Sequence, residues 1–288
     1  MNQRQVGKIA DEADGRAAPV QELVNAFEFE AMAKRKLDSA TLAGIAGSDR
    51  APFDRITFRP RMMVNTTKLD LTAELFGQEM FAPIAIGPVS QQKRFHPEGE
   101  LAMMRGASAA KALMVIASDS SFPIDRIAGQ AKRAFWYQVY PEHDMNAVIA
   151  RVQQAVTLGC KAVCLTLGVQ SSADWADIDR LRKEIGVPLL LKGIMRADEA
   201  RTSVGRGIQG IIVSNYAGSP VEGLAAPMEA LPAIADAVDG KAPVLIDGGF
   251  RRGSDVLKAL ALGARAVLIG RPAVWGLAPY GADGVQKV

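Results

Sequence analysis

The sequence predicts an α/β protein of the (β/α)8 TIM-barrel class, carrying a helical extension ahead of the barrel. Three observations lead there. From residue 82 onward, eight short apolar runs alternate with amphipathic stretches. Each run is followed by a helical pattern or a Gly/Pro turn, as parallel βαβ units are. The loops after the seventh and eighth runs hold the glycines and arginines that barrels place around a phosphate.

The runs are APIAIG (82–87), LMVI (113–116), AFWYQV (134–139), KAVCLT (161–166), VPLLLK (187–192), GIIVS (210–214), APVLID (242–247) and ARAVLI (264–269). They are too short for buried helices and rich in β-branched or aromatic residues, which makes them buried strands. A doubly wound open sheet is the competing architecture. It would need a phosphate loop after its first strand, and SQQKRFHPEGE contains none. GRGIQG (205–210) matches a dinucleotide fingerprint, but it precedes a strand instead of following one, so the match is fortuitous.

Ahead of the barrel, residues 1–20 are polar and of mixed charge and read as a disordered arm, with 21–288 as one domain. VQELVNAFEFEAMAKRKL (20–37) has helical spacing, and FDRITFRPRMMV (53–64) reads as extended chain that could plug or edge the closed end of the barrel.

The 288 residues carry a net charge of +3, and the basic clusters KRK (34–36) and RR (251–252) are too short to argue for nucleic acid. No run approaches the ~20 apolar residues of a membrane span, and no apolar core suggests a secretory signal. Cys160 and Cys164 read as two buried thiols of a cytoplasmic protein. With His96 and His143 far apart, no metal site is expected.

The phosphate end is the most specific feature. In IDGGFRRGSDVLKALALGA (246–264), Gly248 and Gly249 let backbone approach a ligand, Arg251 offers a guanidinium fork, and Ser254 could cap the helix beginning near Asp255. In IGRP (269–272), Gly270 and Arg271 can close on the same anion.

DGGFRRGSDVLKALALGARAVLIGRP resembles the FMN-dependent α-hydroxy acid oxidases and dehydrogenases, typified by glycolate oxidase. The resemblance runs from about Asn25 to the last residue, through NAFEFEAMAKRKL, FAPIAIGPVSQQKRFHPEGE, FWYQVY, LLLKGI and IIVSN. It implies FMN as cofactor. Pro88, Val89 and Ser90 would lie along the flavin ring, with Ser118, Gln138 and Thr166 bonding its polar edge. Lys192 would face the part of the ring where negative charge collects on reduction. Ser214 is a further flavin contact, Asp247 would bind the ribityl chain, and Gly248, Gly249, Arg251, Gly270 and Arg271 would hold the phosphate.

The substrate side departs from the family. Its opening loop S-N-H-G-[GA]-R-Q-L-D is here SNYAGSPVE, so Tyr216 stands at the position of the histidine base and Ser219 at that of a carboxylate-binding arginine. Gly44 stands where a tyrosine is expected, and Gly168 replaces the aspartate that partners the histidine. Thr166 and Lys192 are only 26 positions apart, so the loop carrying a further arginine is cut out. Tyr140 alone remains of the substrate-side set. Ionising a tyrosine at pH 7 costs about 4 kcal/mol, against well under 1 for histidine. His143, on the loop after strand three, is a conceivable substitute base; His96 reads as structural.

The expected function is an FMN oxidoreductase acting on an altered or larger substrate. The alternatives are a flavin-binding pseudoenzyme or assembly subunit, and a non-oxidative FMN barrel resembling the type 2 isopentenyl diphosphate isomerases. The chain stops at GVQKV, where the family continues its last barrel helix. That truncation would leave apolar surface between strands eight and one, so a homo-oligomer is expected.

Overall fold

In the computed structural model, which describes residues 18–45, 50–59, 61–168, 174–215 and 225–288, the eight runs form a closed parallel barrel. A hairpin of β1 (Ala73–Leu75) and β2 (Gln78–Met80) precedes it. The barrel strands are β3 (Ile84–Ile86), β4 (Leu113–Ala117), β5 (Phe135–Val139), β6 (Cys160–Thr166), β7 (Leu189–Ile194), β8 (Gly210–Val213), β9 (Val244–Asp247) and β10 (Ala266–Ile269). They are ordered in sequence, with β10 closing onto β3. GRGIQG lies between the end of a helix and β8, the wrong side of the strand for nucleotide binding.

Strand alternation sorts the side chains into two cores. Phe135, Tyr137, Val163, Leu165, Leu189, Leu191, Ile211, Val213 and Ile246 face the outer helices. Ala85, Val115, Trp136, Cys164, Leu190, Ile212, Leu245 and Leu268 fill the barrel interior. Because successive residues point to opposite faces, the next inward position on each strand lies two residues further on. At the carboxyl ends that rule turns Gln138, Thr166, Lys192, Ser214 and Asp247 inward.

The closed end is plugged by the hairpin, not by residues 53–64 as the sequence suggested. Leu75 and Met80 are buried in the inner cluster, and the Phe76 ring lies 5.7 Å from that of Trp136. The hairpin turns at Phe76 and Gly77, whose φ values of 49° and 72° are the pair that a tight two-residue turn requires. Phe53, by contrast, packs edge-on against Phe250 at the opposite end, 5.1 Å between centroids, and is followed by exposed chain that includes Phe58, Met62, Met63, Val64, Leu69 and Leu71.

The N-terminal helix α1 (Ala26–Lys36) begins six residues later than its periodicity suggested. Asn25 caps it, accepting from the amides of Phe27 and Glu28, and a short 3-10 turn occupies Val20–Glu22. Two short helices follow, α2 (Ser39–Ala43) and α3 (Ala51–Asp54). The outer helices are α4 (Gly99–Ala109), α5 (Ile124–Ala128), α6 (Met145–Thr157), α7 (Trp175–Glu184), α8 (Ala197–Gly205), α9 (Pro227–Val238), α10 (Gly253–Ala261) and α11 (Arg271–Lys287).

The last of these corrects an expectation. The last barrel strand, β10, is followed by α11, which packs on α4 and α1 and buries Trp275, Leu277 and Val285, interrupted where Gly281 takes φ 57° against the His96 ring. Most of the anticipated apolar gap is therefore covered. What remains is a cleft of about 170 Å³ lined by Ile84, Ala112, Val256, Ala273 and Val285 among others.

If the hairpin is the floor of the inner core, Met80→Ala leaves a cavity there. It should cost about 2–5 kcal/mol, read from the urea midpoint at unchanged slope. A loss below about 1 kcal/mol would mean the hairpin merely rests on the barrel.

Candidate functional site

The carboxyl ends of the strands open into a cavity of about 370 Å³. Its lining divides into two regions. One contains Pro88, Val89, Ser90, Ala117, Gln138, Tyr140, Thr166, Lys192 and Ser214; the other contains Asp247, Gly248, Gly249, Arg251, Gly270 and Arg271. Thirteen of the fourteen residues expected to hold FMN are thus brought to one cavity, together with Tyr140.

Ser118 is the exception. On β4 the inward sequence is Val115 then Ala117, so Ala117 reaches the cavity and Ser118, one residue past the strand, falls on the other parity. His143 is exposed and lies off the lining, and so does His96. His96 accepts from the Glu98 amide through Nδ1 at 3.2 Å, and partial burial draws its pKa below the usual histidine value. Tyr216 and Ser219 lie outside the described residues, whereas Gly168 is exposed just past β6.

In the first region, polar groups converge above the inner core. Thr166 and Lys192 are register partners on β6 and β7. Gln138 Nε2 donates to Thr166 Oγ1 at 3.0 Å, while its Oε1 is buried with no partner among the described residues. The Lys192 ammonium, 4% exposed, donates to Ser214 Oγ at 2.7 Å and pairs with Asp247 at 2.9 Å. Its backbone is fixed by its neighbour: Gly193 has φ 104°, and a Cβ there would sit 2.2 Å from the Leu167 carbonyl oxygen.

The second region is cationic and partly desolvated. Burial, reinforced by the neighbouring Arg271 charge, pushes the Arg251 guanidinium down to about 10. Burial likewise lowers Arg271, partly offset by Asp247 and Glu30. Arg251 also stacks over the Trp275 ring at 4.4 Å and donates to the Phe250 carbonyl. Two such charges held together without bulk water favour an anion between them. Gly248 and Gly249, at φ 96° and 80°, form the turn beside them.

A residue that sequence reasoning missed organises this turn. Arg50 donates to the Gly249 carbonyl at 2.6 Å and clasps Asp255 through both terminal nitrogens, at 2.9 and 3.0 Å. Asp255, 2% exposed, also accepts from the amides of Arg251 and Arg252. The helix therefore starts at Gly253 and is capped from within by Asp255, not by Ser254. Burial alone would raise the Asp255 carboxyl, but the bonds from Arg50 and the Arg251 amide outweigh it and hold the pKa below normal. A depressed carboxyl contributes full stability above its unfolded pKa of about 4 and loses it only in stronger acid.

FMN suits this lining on observations internal to the site. The orphaned Gln138 oxygen can accept from a ring N–H, the buried guanidiniums can meet a phosphate, and the glycine turn leaves backbone amides accessible. Gln138, Thr166, Lys192 and Ser214 would hold the ring, Asp247 the ribityl hydroxyls, and Arg251 and Arg271 the phosphate. Since Arg50 acts through Gly249 and Asp255, Arg50→Ala should weaken FMN binding roughly tenfold or more by fluorescence titration. Unchanged affinity would show the clamp to be irrelevant to the phosphate turn.

Comparison with known proteins gives the same assignment. The FMN-dependent dehydrogenase family profile matches residues 22–173 and 168–288. The match divides at residues 168–173, where the sequence predicts a shortened loop. L-lactate oxidase of a Nostoc species is 34% identical, covering 92% of this chain and 90% of that protein. Glycolate oxidase of Spinacia oleracea is also 34% identical, covering 93% and 88%. The peroxisomal (S)-2-hydroxyacid oxidase of Arabidopsis thaliana matches at the same identity, covering 93% and 89%. The Nostoc alignment extends over 329 positions, more than the 288 of this chain, so that relative carries segments this chain lacks. Mandelate oxidase superposes with a TM-score of 0.88 at 33% identity, covering 92% of this chain and 90% of that structure. From the register of the barrel, the composition of its cavity and these relatives, the chain is a member of the FMN-dependent dehydrogenase family of α-hydroxy acid oxidases.

Proposed function

We propose that this chain is an FMN oxidoreductase whose substrate site has been rebuilt, so that ordinary hydroxy acid oxidation is slow or absent. One observation carries the reading. The chain has two histidines, His96 and His143, and neither lines the cavity. A histidine base with a pKa near 6.5 is thus unavailable to take the substrate proton at neutral pH.

Bound FMN supplies a two-electron acceptor. Lys192, buried and kept in place by Asp247 and Ser214, would face the part of the ring where negative charge collects on reduction. Gln138 and Thr166 would orient the ring, and the apolar cluster of Trp136, Cys164 and Leu190 would keep water from the barrel interior. On the substrate side, Tyr140 contributes a hydroxyl, while Ala43, Gly44 and Ile45 form a wall with little bulk. Gly44 supports a substrate larger than the simplest hydroxy acids.

Two further expectations belong to this proposal. The buried free thiols Cys160 and Cys164, both raised by burial, support a reducing compartment such as the cytoplasm. The exposed apolar residues between Phe58 and Leu71 support a homo-oligomer. In sedimentation velocity, a species larger than 30.7 kDa is expected, and a monomer independent of concentration would contradict it.

The decisive test of the functional reading is an anaerobic substrate screen of the flavin-loaded protein. We expect a yellow protein that lactate, glycolate and mandelate bleach at least ~10³-fold more slowly than a competent hydroxy acid oxidase. Prompt bleaching would show that another group serves as base, and a colourless protein that ignores added FMN would overturn the cofactor assignment.

A further inference from the structure

We propose that Arg94 is the substrate-recognising cation of this cavity, receiving the carboxylate of an organic acid from the loop after the first barrel strand. The inference rests on the FMN-binding reading above and adds what the rebuilt site would recognise.

Among the described residues, four cations line the cavity: Lys192, Arg251, Arg271 and Arg94. Lys192 is engaged with Asp247 and Ser214, and the two other arginines flank the phosphate turn. Arg94 follows the ring-lining residues Pro88 to Ser90 on the same loop and shares the lining with Tyr140. No carboxylate among the described residues pairs with it.

The loop that carries Arg94 is rigidly anchored although its side chain is exposed. Glu100 is fully buried, and its Oε1 accepts from the amides of Gln92 at 2.9 Å and Ser121 at 2.8 Å. Gln92, itself 1% exposed, donates through Nε2 to the Val89 carbonyl at 2.9 Å. The Lys93 amide is held by Ser121 Oγ at 3.0 Å. These bonds tie the position of Arg94 to the backbone that lies along the flavin site.

Of the cations around this loop, Arg94 alone is on the cavity lining among the described residues. Lys93 and Arg126 both lie over the Phe122 ring, at 4.1 and 5.0 Å. The Arg94 guanidinium lies 4.6 Å from the centroid of the buried Phe95 ring. Packing a guanidinium face on an aromatic ring restrains it while leaving its edge donors for a ligand. A planar fork of this kind matches a carboxylate bidentately, whereas a neutral group engages it far less strongly.

The test uses the FMN-loaded protein and follows the visible flavin spectrum during titration with benzoate, oxalate and mandelate, with benzamide as the neutral control. The carboxylates should perturb the spectrum and benzamide should bind more weakly. Arg94→Ala should raise the carboxylate dissociation constants roughly tenfold or more, with Arg94→Lys intermediate and FMN affinity and melting temperature unchanged. Equal carboxylate binding by wild type and Arg94→Ala would overturn the proposal while leaving the flavin reading intact. So would a yellow wild-type protein that binds none of the three acids. A protein that takes up no FMN would instead defeat the functional reading itself, and the Arg94 proposal with it.

Discussion

The site depends first on the two-residue repeat of the barrel strands. Each strand commits one parity to the outer helices and the other to the barrel axis. The inward parity carries Trp136, Cys164, Leu190, Ile212 and Leu245 at one level and Gln138, Thr166, Lys192, Ser214 and Asp247 at the next. An apolar floor and a polar ceiling are thereby set by sequence spacing alone. A slip of one residue on any strand would replace a ligand-facing group with one packed against a helix.

The charged groups above that floor differ in how they are held. The Lys192 ammonium is acceptable at 4% exposure because Asp247 and Ser214 lie within hydrogen-bond reach, an arrangement set up by the strand ends. Burial shifts Arg251 and Arg271 downward, although nearby carboxylates partly offset it. A phosphate between them would make their charge favourable. Arg50 extends the same logic outward, since its bidentate pair with Asp255 holds the glycine turn in the shape that presents those cations. A segment preceding the barrel would thus support the phosphate site.

Much of this was legible in the sequence because it rests on short-range patterns. The eight apolar runs are the eight barrel strands, and the glycine–arginine loops after β9 and β10 meet at one cavity. Resemblance locates Ser118 only to within a residue, whereas parity on β4 brings its neighbour Ala117 to the lining. The hairpin plug was hidden by its size: three residues per strand give little periodicity, and the Phe76–Gly77 turn lacks the usual Asn-Gly signature. Arg50 could not be found from spacing, because its partners lie about 200 positions away. The start of α10 differs for a related reason, as Asp255 accepts from the Arg251 and Arg252 amides and so brings the first turn forward to Gly253.

In this cavity the ring end would hold FMN by preorganised polar groups and the phosphate end by Arg251 and Arg271. The most direct measurement compares FMN with riboflavin in calorimetric titrations of the apoprotein. Two charge-assisted contacts to phosphate, at about 1.5–3 kcal/mol each, predict one-to-one FMN binding roughly 10² to 10⁴ times tighter than riboflavin. Equal affinity for the two would contradict the account, because Arg251 and Arg271 would then have no anion to hold.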